Sequence, residues 1–367
     1  MEAIKVFLLT VLVFGVLIFV HELGHFIACR IFGVRVNEFA IGMGPKLLSW
    51  VNKKSGTVYS LRILPIGGFN SIEDGSDAAT EEQPNENSEL TDEKKELPEY
   101  AFGAKPVWQR MIIIVSGALM NLLLGLIIMT VVVIGTEKYA SNTIAYFVDP
   151  VTGVEIESFC GMQSGDKIVK VGSRSVHTAD ELAYSIFAEG AEPTDVVIKR
   201  NGQRIVIEDV SFPTEEKDGI IYGIINFKVY AEEKNFVNTV KQSFYGSANV
   251  VTQVYDSLFG MITGKYGIQH VSGPIGVGEV IGEAAKLGYS SLLTISVVLS
   301  MNLGVFNLIP IPGLDGGKLV FLIIEASIRR PVPKKIEENI TVIGITLLMA
   351  LVIAVAFKDV FAIIFRR

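Results

Sequence analysis

VFLLTVLVFGVLIFVHELGHFI, residues 6–27, is an apolar run that ends in two histidines and a glutamate. Taken from about Ile4 to Ile27, it is long enough to cross a bilayer as a helix. Backbone in lipid must satisfy its own hydrogen bonds, which makes a helix the default there. Lys5 ahead of Phe7–Val20 imitates the start of a secretory leader. The run leads into His-Glu-Leu-Gly-His and not into small residues suited to cleavage, so it reads as a retained span. On such a helix His21 and His25 share one face, and both imidazoles can reach one metal ion. Zinc accepts neutral imidazole nitrogen in a tetrahedral shell that has room for a third protein ligand and a water. Glu22 sits beside the first ligand, where it can take a proton from that water. The bland alternative is a pair of helix-end histidines at a membrane surface. Ionisable groups inside a span are costly and usually functional, which favours the metal.

Outward from this run, three more segments suit a span: about Met111 to Ile134, Leu292 to Ile309, and Ile340 to Phe365. The third ends at Pro310-Ile311-Pro312, and the fourth is interrupted late by Lys358 and Asp359. Hydrophobic residues make up 50% of the chain and charged ones 19%, which fits a membrane core joined to a polar module. A net charge of −7 argues against nucleic acid as a partner, because phosphate needs basic surface. Lys and Arg cluster after span one (Arg30, Arg35, Lys46, Lys53, Lys54, Arg62) and after span three (Lys318, Arg329, Arg330, Lys334, Lys335). Both loops are therefore expected on the cytoplasmic side, with the middle of the chain outside; Arg366 and Arg367 run against the rule. Cys29 and Cys160 then fall on opposite sides and are expected to stay unpaired.

The expected organisation is a membrane protein of four transmembrane helices, a membrane-associated β-hairpin region and one extracytoplasmic α/β domain. The first helix, with its His-Glu-x-x-His motif, takes 1–34, and membrane-associated β-hairpins take 35–72. An acidic loop follows at 73–107, the second transmembrane helix at 108–136 and the α/β domain at 138–212. A linker and amphipathic helix take 213–289, the third transmembrane segment 290–328 and the fourth transmembrane helix 336–367. Repeated glycine (Gly42, Gly44, Gly56, Gly67, Gly68) suggests two short hairpins, with a strand at Thr57–Leu64. Residues 73–99 hold eleven Asp or Glu and almost no large apolar side chains, so they are expected to be loosely held. In the middle domain, Thr143–Val148, Lys167–Val171, Asp195–Lys199 and Arg204–Ile207 read as strands. Asp180–Glu189 reads as a helix with Thr178 at its N-cap. Phe236 to Ile262 has an amphipathic pattern suited to an interfacial or packing helix.

A second polar segment, Asn307-Leu308-Ile309-Pro310-Ile311-Pro312-Gly313-Leu314-Asp315-Gly316, supports the first. Its prolines end a helix, and its glycines free the backbone around a single carboxylate. Asp315 is the expected third ligand. Spans one and three run the same way if each segment crosses once, so their C-terminal ends meet the same face. Alone, Asp315 would be an ordinary loop aspartate; beside the histidine motif it reads as a ligand. Asn307 is a candidate to bind the developing oxyanion or the substrate backbone, with an interhelical hydrogen bond as the alternative. Asn121 in span two reads as a packing and hydrogen-bond site.

These segments resemble the site-2 protease family of intramembrane zinc metalloproteases, and most closely its bacterial RseP/RasP-like branch. The resemblance rests on His21–His25, Arg62–Phe69 with Pro65-Ile66-Gly67-Gly68, Ser272-Gly273-Pro274-Ile275-Gly276 and Asn307–Gly316, and spans nearly the whole chain. It implies Zn2+ held by His21, His25 and Asp315, with Glu22 as the base. It also implies a hairpin after span one that pairs with unwound substrate. The implied function is cleavage of transmembrane segments of single-span membrane proteins, such as anti-sigma factors or remnant signal peptides, in the inner membrane near its cytoplasmic face. Ser116-Gly117-Ala118 departs from the Gly-Pro that the family commonly shows before the asparagine, and the acidic loop is an insertion. Gly161-Met162-Gln163-Ser164-Gly165-Asp166-Lys167-Ile168 resembles a segment of a PDZ domain, with Asn201-Gly202 as a late hairpin turn. That likeness implies either a peptide C-terminus bound by strand addition or a filter against large ectodomains. Two other classes compete with this reading: a membrane adaptor with a structural metal, and a metal transporter. The open fourth position disfavours the first. The scarcity of polar groups in spans two and four disfavours the second.

Overall fold

The computed structural model describes residues 2–74, 97–149, 152–156, 158–217, 219–265, 267 and 271–365. Most of the acidic stretch, His270, Arg366 and Arg367 lie outside them. The chain forms two compact units, Met1–Gly125 with Val271–Arg367, and Leu126–His270.

The first unit begins with α1 (Glu2–Ile31), then β1 (Val36–Val51), β2 (Val58–Ile72) and α2 (Val107–Gly135), whose last third belongs to the second unit. Among the described residues, four helices are long and apolar enough to cross a membrane: Ile4–Ile31, Val107–Gly135, Tyr289–Leu308 and Lys334–Phe361. The four expected spans fall on them. Their outer faces carry exposed Phe7, Leu8, Leu12, Leu123, Ile127, Val342, Ile343 and Leu347. Apolar faces of this extent suit lipid and not water.

The expected pair of separate hairpins is instead two long antiparallel strands with a folded register. Val36–Ile41 lies beside Gly68–Ile72, while Val58–Leu61 lies beside both Glu38–Ile41 and Leu48–Val51. Gly42 and Gly44, both at positive φ, let β1 turn between its two roles. Glu38 anchors the arrangement by accepting hydrogen bonds from Ser60 Oγ and Arg62 Nη2, with Lys46 Nζ at 3.1 Å. Burial pushes the Glu38 carboxyl up, but these partners and the Arg62 charge outweigh it and bring it down to about 2. A depressed folded pKa contributes stability that is present above the ordinary value of 4.5 and is lost as pH falls through about 2. Trp50, stacked on Tyr59 at 5.6 Å, reports on this sheet. In a Trp108→Phe protein its emission is expected to change between pH 4.5 and 2, and Glu38→Gln is expected to flatten that change.

The second unit contains a main sheet, two separate two-stranded sheets (Ser158–Phe159 with Met162–Gln163, and Thr214–Lys217 with Ile220–Gly223) and two helices besides the end of α2. Its strands are β3 (Tyr139–Val148), β4 (Glu155–Ile156), β5 (Ser158–Phe159), β6 (Met162–Gln163), β7 (Lys167–Val171) and β8 (Arg174–Ser175). After α3 (Ala179–Glu189) come β9 (Thr194–Arg200), β10 (Gln203–Val210), β11 (Thr214–Lys217), β12 (Ile220–Gly223), β13 (Phe227–Glu232) and α4 (Phe236–Ile262). The main sheet runs β10-β9-β7-β3-β13, with β4 on β3 and β8 on β7. Thr178 and Glu181 close a capping box on α3. The sheet faces a core built from Ile144, Phe147, Met162, Ile168, Leu182, Ile186 and Ile198, all essentially inaccessible to solvent. Phe147→Ala is expected to cost this unit about 3–5 kcal/mol. Hydrogen exchange across Lys167–Val171 and Thr194–Arg200 reads the loss.

The span 213–289, expected to be linker and amphipathic helix, differs from that expectation. Phe227–Glu232 completes the sheet against β3, so the folded unit does not stop at 212. The helix at 236–262 is present, with its polar side inward: Gln242, Ser243, Ser247 and Asn249 are buried while Phe236, Val240, Phe244, Phe259 and Ile262 are exposed. An exposed apolar stripe of this kind suits a helix lying in a membrane interface.

In the first unit, α5 (Pro274–Leu287) forms where the sequence suggests linker; its glycines at 276, 278 and 282 obscure a helix. They serve packing. A Cβ on Gly282 would stand 2.9 Å from Val6, and one on Gly273 would stand 2.6 Å from the Asp359 carboxylate. Asp359 is buried and accepts the Gly276 N–H at 3.0 Å, capping α5 from the last span. This explains a charge late in that span. The segment expected at 290–328 is two helices, α6 (Tyr289–Leu308) and α7 (Asp315–Ile328), followed by α8 (Lys334–Phe365). Proline at 310 and 312 removes the backbone donors a continuous helix would need.

Candidate metal centre

Two glycines bring α1 and α2 into close approach. A Cβ on Gly24 would stand 2.4 Å from the Ser116 carbonyl. One on Gly117 would stand 2.3 Å from His25 Nε2 and 2.8 Å from His21 Cε1. At this separation the Ile113 carbonyl lies 2.8 Å from His25 Nδ1 and accepts its N–H. The hydrogen on Nδ1 leaves Nε2 with a free lone pair, the tautomer a metal requires.

Asp315 arrives on the other side from a redirected chain. After α6 the backbone is extended at Ile309, passes the two prolines, and turns at Gly313 with φ +98°. Glycine at 316 and 317 lets this loop lie on the first turn of α7. A Cβ at these positions would stand 2.1 Å from the Ile309 carbonyl and 2.5 Å from the Ile311 carbonyl. Asp315 opens α7, so its carboxylate also sits at the positive end of the helix dipole.

The three side chains converge. His21 Nε2 and His25 Nε2 each lie 3.1 Å from Asp315 Oδ2 and 3.2 Å from one another. They form a cluster of metal-ligand type whose ligand atoms all fall within 4.8 Å. Ligands of a tetrahedral zinc at about 2.0–2.1 Å stand about 3.3 Å apart, so the donor set fits the ion in kind and in spacing. A side chain at position 117 would press on both rings, so glycine there lets His21 and His25 keep these places. The His21, His25 and Asp315 side chains are 12%, 9% and 20% exposed, shielded from bulk solvent but not sealed.

Glu22 is held by a residue that the sequence did not single out. Asn70 in β2 donates from Nδ2 to Glu22 Oε2 at 2.8 Å and to the Glu22 carbonyl at 2.7 Å. Gly68, two residues earlier, has no side chain to displace Glu22: a Cβ there would stand 3.1 Å from Glu22 Cγ. One carboxylate oxygen of Glu22 is thereby fixed, and the other makes no hydrogen bond among the described residues. Asn70→Leu is expected to release the Glu22 carboxylate while leaving the metal content of the His21, His25 and Asp315 cluster unchanged, as metal analysis would read. Asn121 approaches His21 Nδ1 with its Nδ2 at 3.3 Å. Asn307 lies in the last turn of α6, half-buried. Among the described residues it makes no hydrogen bond to His21, Glu22, His25 or Asp315.

Comparison with known proteins gives a consistent outcome. The model of peptidase family M50 matches residues 9–351. A relative from Clostridium acetobutylicum, whose name calls it a zinc metalloprotease, is 35% identical over 360 residues and covers 96% of each chain. Zinc metalloprotease RasP of Geobacillus kaustophilus is 30% identical, covering 98% of each chain. The regulator of sigma-W protease RasP of Bacillus subtilis is 27% identical, covering 95% of this chain and 97% of its own.

Proposed function

The chain belongs to peptidase family M50, the site-2 proteases, and is a zinc metalloprotease; from that premise we propose that it cuts the transmembrane segments of single-span membrane proteins, with His21, His25 and Asp315 as its zinc ligands and Glu22 as its base. The observation that carries the proposal is the meeting of His21 and His25 with Asp315, 290 residues further along the chain than His25, at ligand spacing.

A zinc ion held by His21, His25 and Asp315 would supply Lewis-acid chemistry, polarising the scissile carbonyl and making water a better nucleophile. The protein's part follows from its own side chains. His25 presents Nε2 because Ile113 takes its Nδ1 hydrogen. Asp315 would bring one negative charge to the two imidazoles, a donor set of the kind zinc takes. Glu22 takes the water proton on the carboxylate oxygen that Asn70 does not hold, and returns it to the leaving amine. The substrate must be unwound first, because a helix hides its carbonyls in i→i−4 bonds. The Gly68–Ile72 end of β2, paired in the sheet only with Val36–Ile41, is proposed as the edge that receives the unwound segment; the expected Thr57–Leu64 does not suit, because Val58–Leu61 is paired on both sides. Asn307 is kept as a proposed contact for substrate backbone and not for the metal.

The Lys and Arg clusters after spans one and three support an orientation with the metal centre near the cytoplasmic face of the cell membrane. The sheet-and-helix unit then lies outside. Its Gly161–Ile168 segment supports a PDZ-like reading, in which a peptide C-terminus adds to a sheet edge. Anti-sigma factors are one substrate class consistent with the relative named a regulator of sigma-W protease. The test is incubation of the purified chain with single-span membrane proteins, with and without chelator. Chelator-sensitive cleavage inside the apolar segment supports the proposal. Cleavage confined to soluble loops, or indifferent to chelator, contradicts it.

A further inference from the structure

Asn121 is fully buried in α2, and its side-chain Oδ1 has no hydrogen-bond partner among the described residues. The backbone around it is pinned, because the Asn121 carbonyl accepts from Ser300 Oγ of α6 at 2.7 Å. Its Nδ2 faces His21 Nδ1 at 3.3 Å, which requires His21 to carry its hydrogen on Nε2. That Nε2 is the atom beside Asp315 Oδ2 and His25 Nε2. A His21 that ligates zinc through Nε2 carries its hydrogen on Nδ1 instead, and two N–H donors would then face each other. The carbonyl and NH2 of an asparagine exchange places by a half-turn of the side chain, which an amide can make without moving the backbone.

Resting on the zinc reading above, we infer that Asn121 is a positioning residue for His21, and that its side-chain carbonyl accepts the His21 Nδ1–H when His21 binds zinc. The half-turn gives the orphaned oxygen a partner. It makes His21 the counterpart of His25, whose Nδ1–H is already accepted by Ile113. An acceptor behind a ligating imidazole fixes the ring and strengthens the nitrogen as a donor to the metal. The polarity at residue 121 decides the effect: an acceptor serves, a donor alone does not.

The test compares zinc affinity of the purified full-length protein, by chelator competition, for wild type, Asn121→Asp and Asn121→Leu. Aspartate accepts and cannot donate while ionised; leucine does neither. The proposal predicts that Asn121→Asp stays within about threefold of wild type, while Asn121→Leu loses about ten- to a hundredfold. Asn121→Asp is also expected to shift the visible bands of the Co2+-loaded protein, because a carboxylate behind the ring changes the ligand field. That readout holds even if the leucine variant fails to fold. Equal affinity of wild type and Asn121→Leu overturns the proposal. So does an Asn121→Asp loss as large as that of leucine, or Co2+ bands identical to wild type. Asp315→Ala, run in parallel, separates the two readings: unchanged zinc in that variant removes the parent centre, whatever residue 121 does.

Discussion

Glu22→Gln is expected to leave one zinc per chain in place and to lower kcat about 10²–10⁴-fold, the usual contribution of a positioned general base. The amide oxygen of glutamine can still accept from Asn70, whose Nδ2 lies 2.8 Å from Glu22 Oε2. The side chain therefore keeps its place and loses only its basicity. The loss falls on kcat with KM little changed, as for an interaction made in the transition state. Cleavage of a single-span substrate in detergent, paired with metal analysis, reads both halves. Turnover near wild type would remove Glu22 from its role.

Gly117→Ala is expected to displace zinc while favouring the helix that carries it. Alanine is a better helix former than glycine by about 0.5–1 kcal/mol, so α2 itself gains. The added methyl has no room, since it would stand 2.3 Å from His25 Nε2 and 2.8 Å from His21 Cε1. One imidazole has to turn out of line. The expected result is a fall in zinc affinity of about a hundredfold or more, against the ten- to hundredfold typical of lost outer hydrogen bonds. Retention of zinc at wild-type affinity, with the helix intact, would show that the contact of position 117 with the two imidazoles does not constrain the metal site.

Much of this was legible in the chain itself. The four spans announce themselves because lipid demands long apolar helices, and the structure extends each expected segment by only a few residues or trims its ends. His21 and His25 were readable because helical spacing is local. Lys167–Val171 and the Thr178 cap were readable for the same reason. The missing parts depend on distance or on backbone. Asn70 meets Glu22 across 48 residues, and no local pattern marks the pair. The Ile113 carbonyl orients His25 without a side-chain signature at all. Pro274–Leu287 was obscured by glycines that look like loop residues and in fact admit Val6 and Asp359. Phe227–Glu232 (FKVYAE) alternates only over its first residues and follows charged Glu215, Glu216 and Lys217, so its pairing with β3 has little local signature.

X-ray absorption at the zinc edge of the purified protein, wild type beside Asp315→Ala, bears most directly on the account. One zinc per chain is expected, with two imidazole nitrogens and oxygen neighbours, and the metal lost from the alanine variant. Thiolate in the shell, or full occupancy without Asp315, would contradict it.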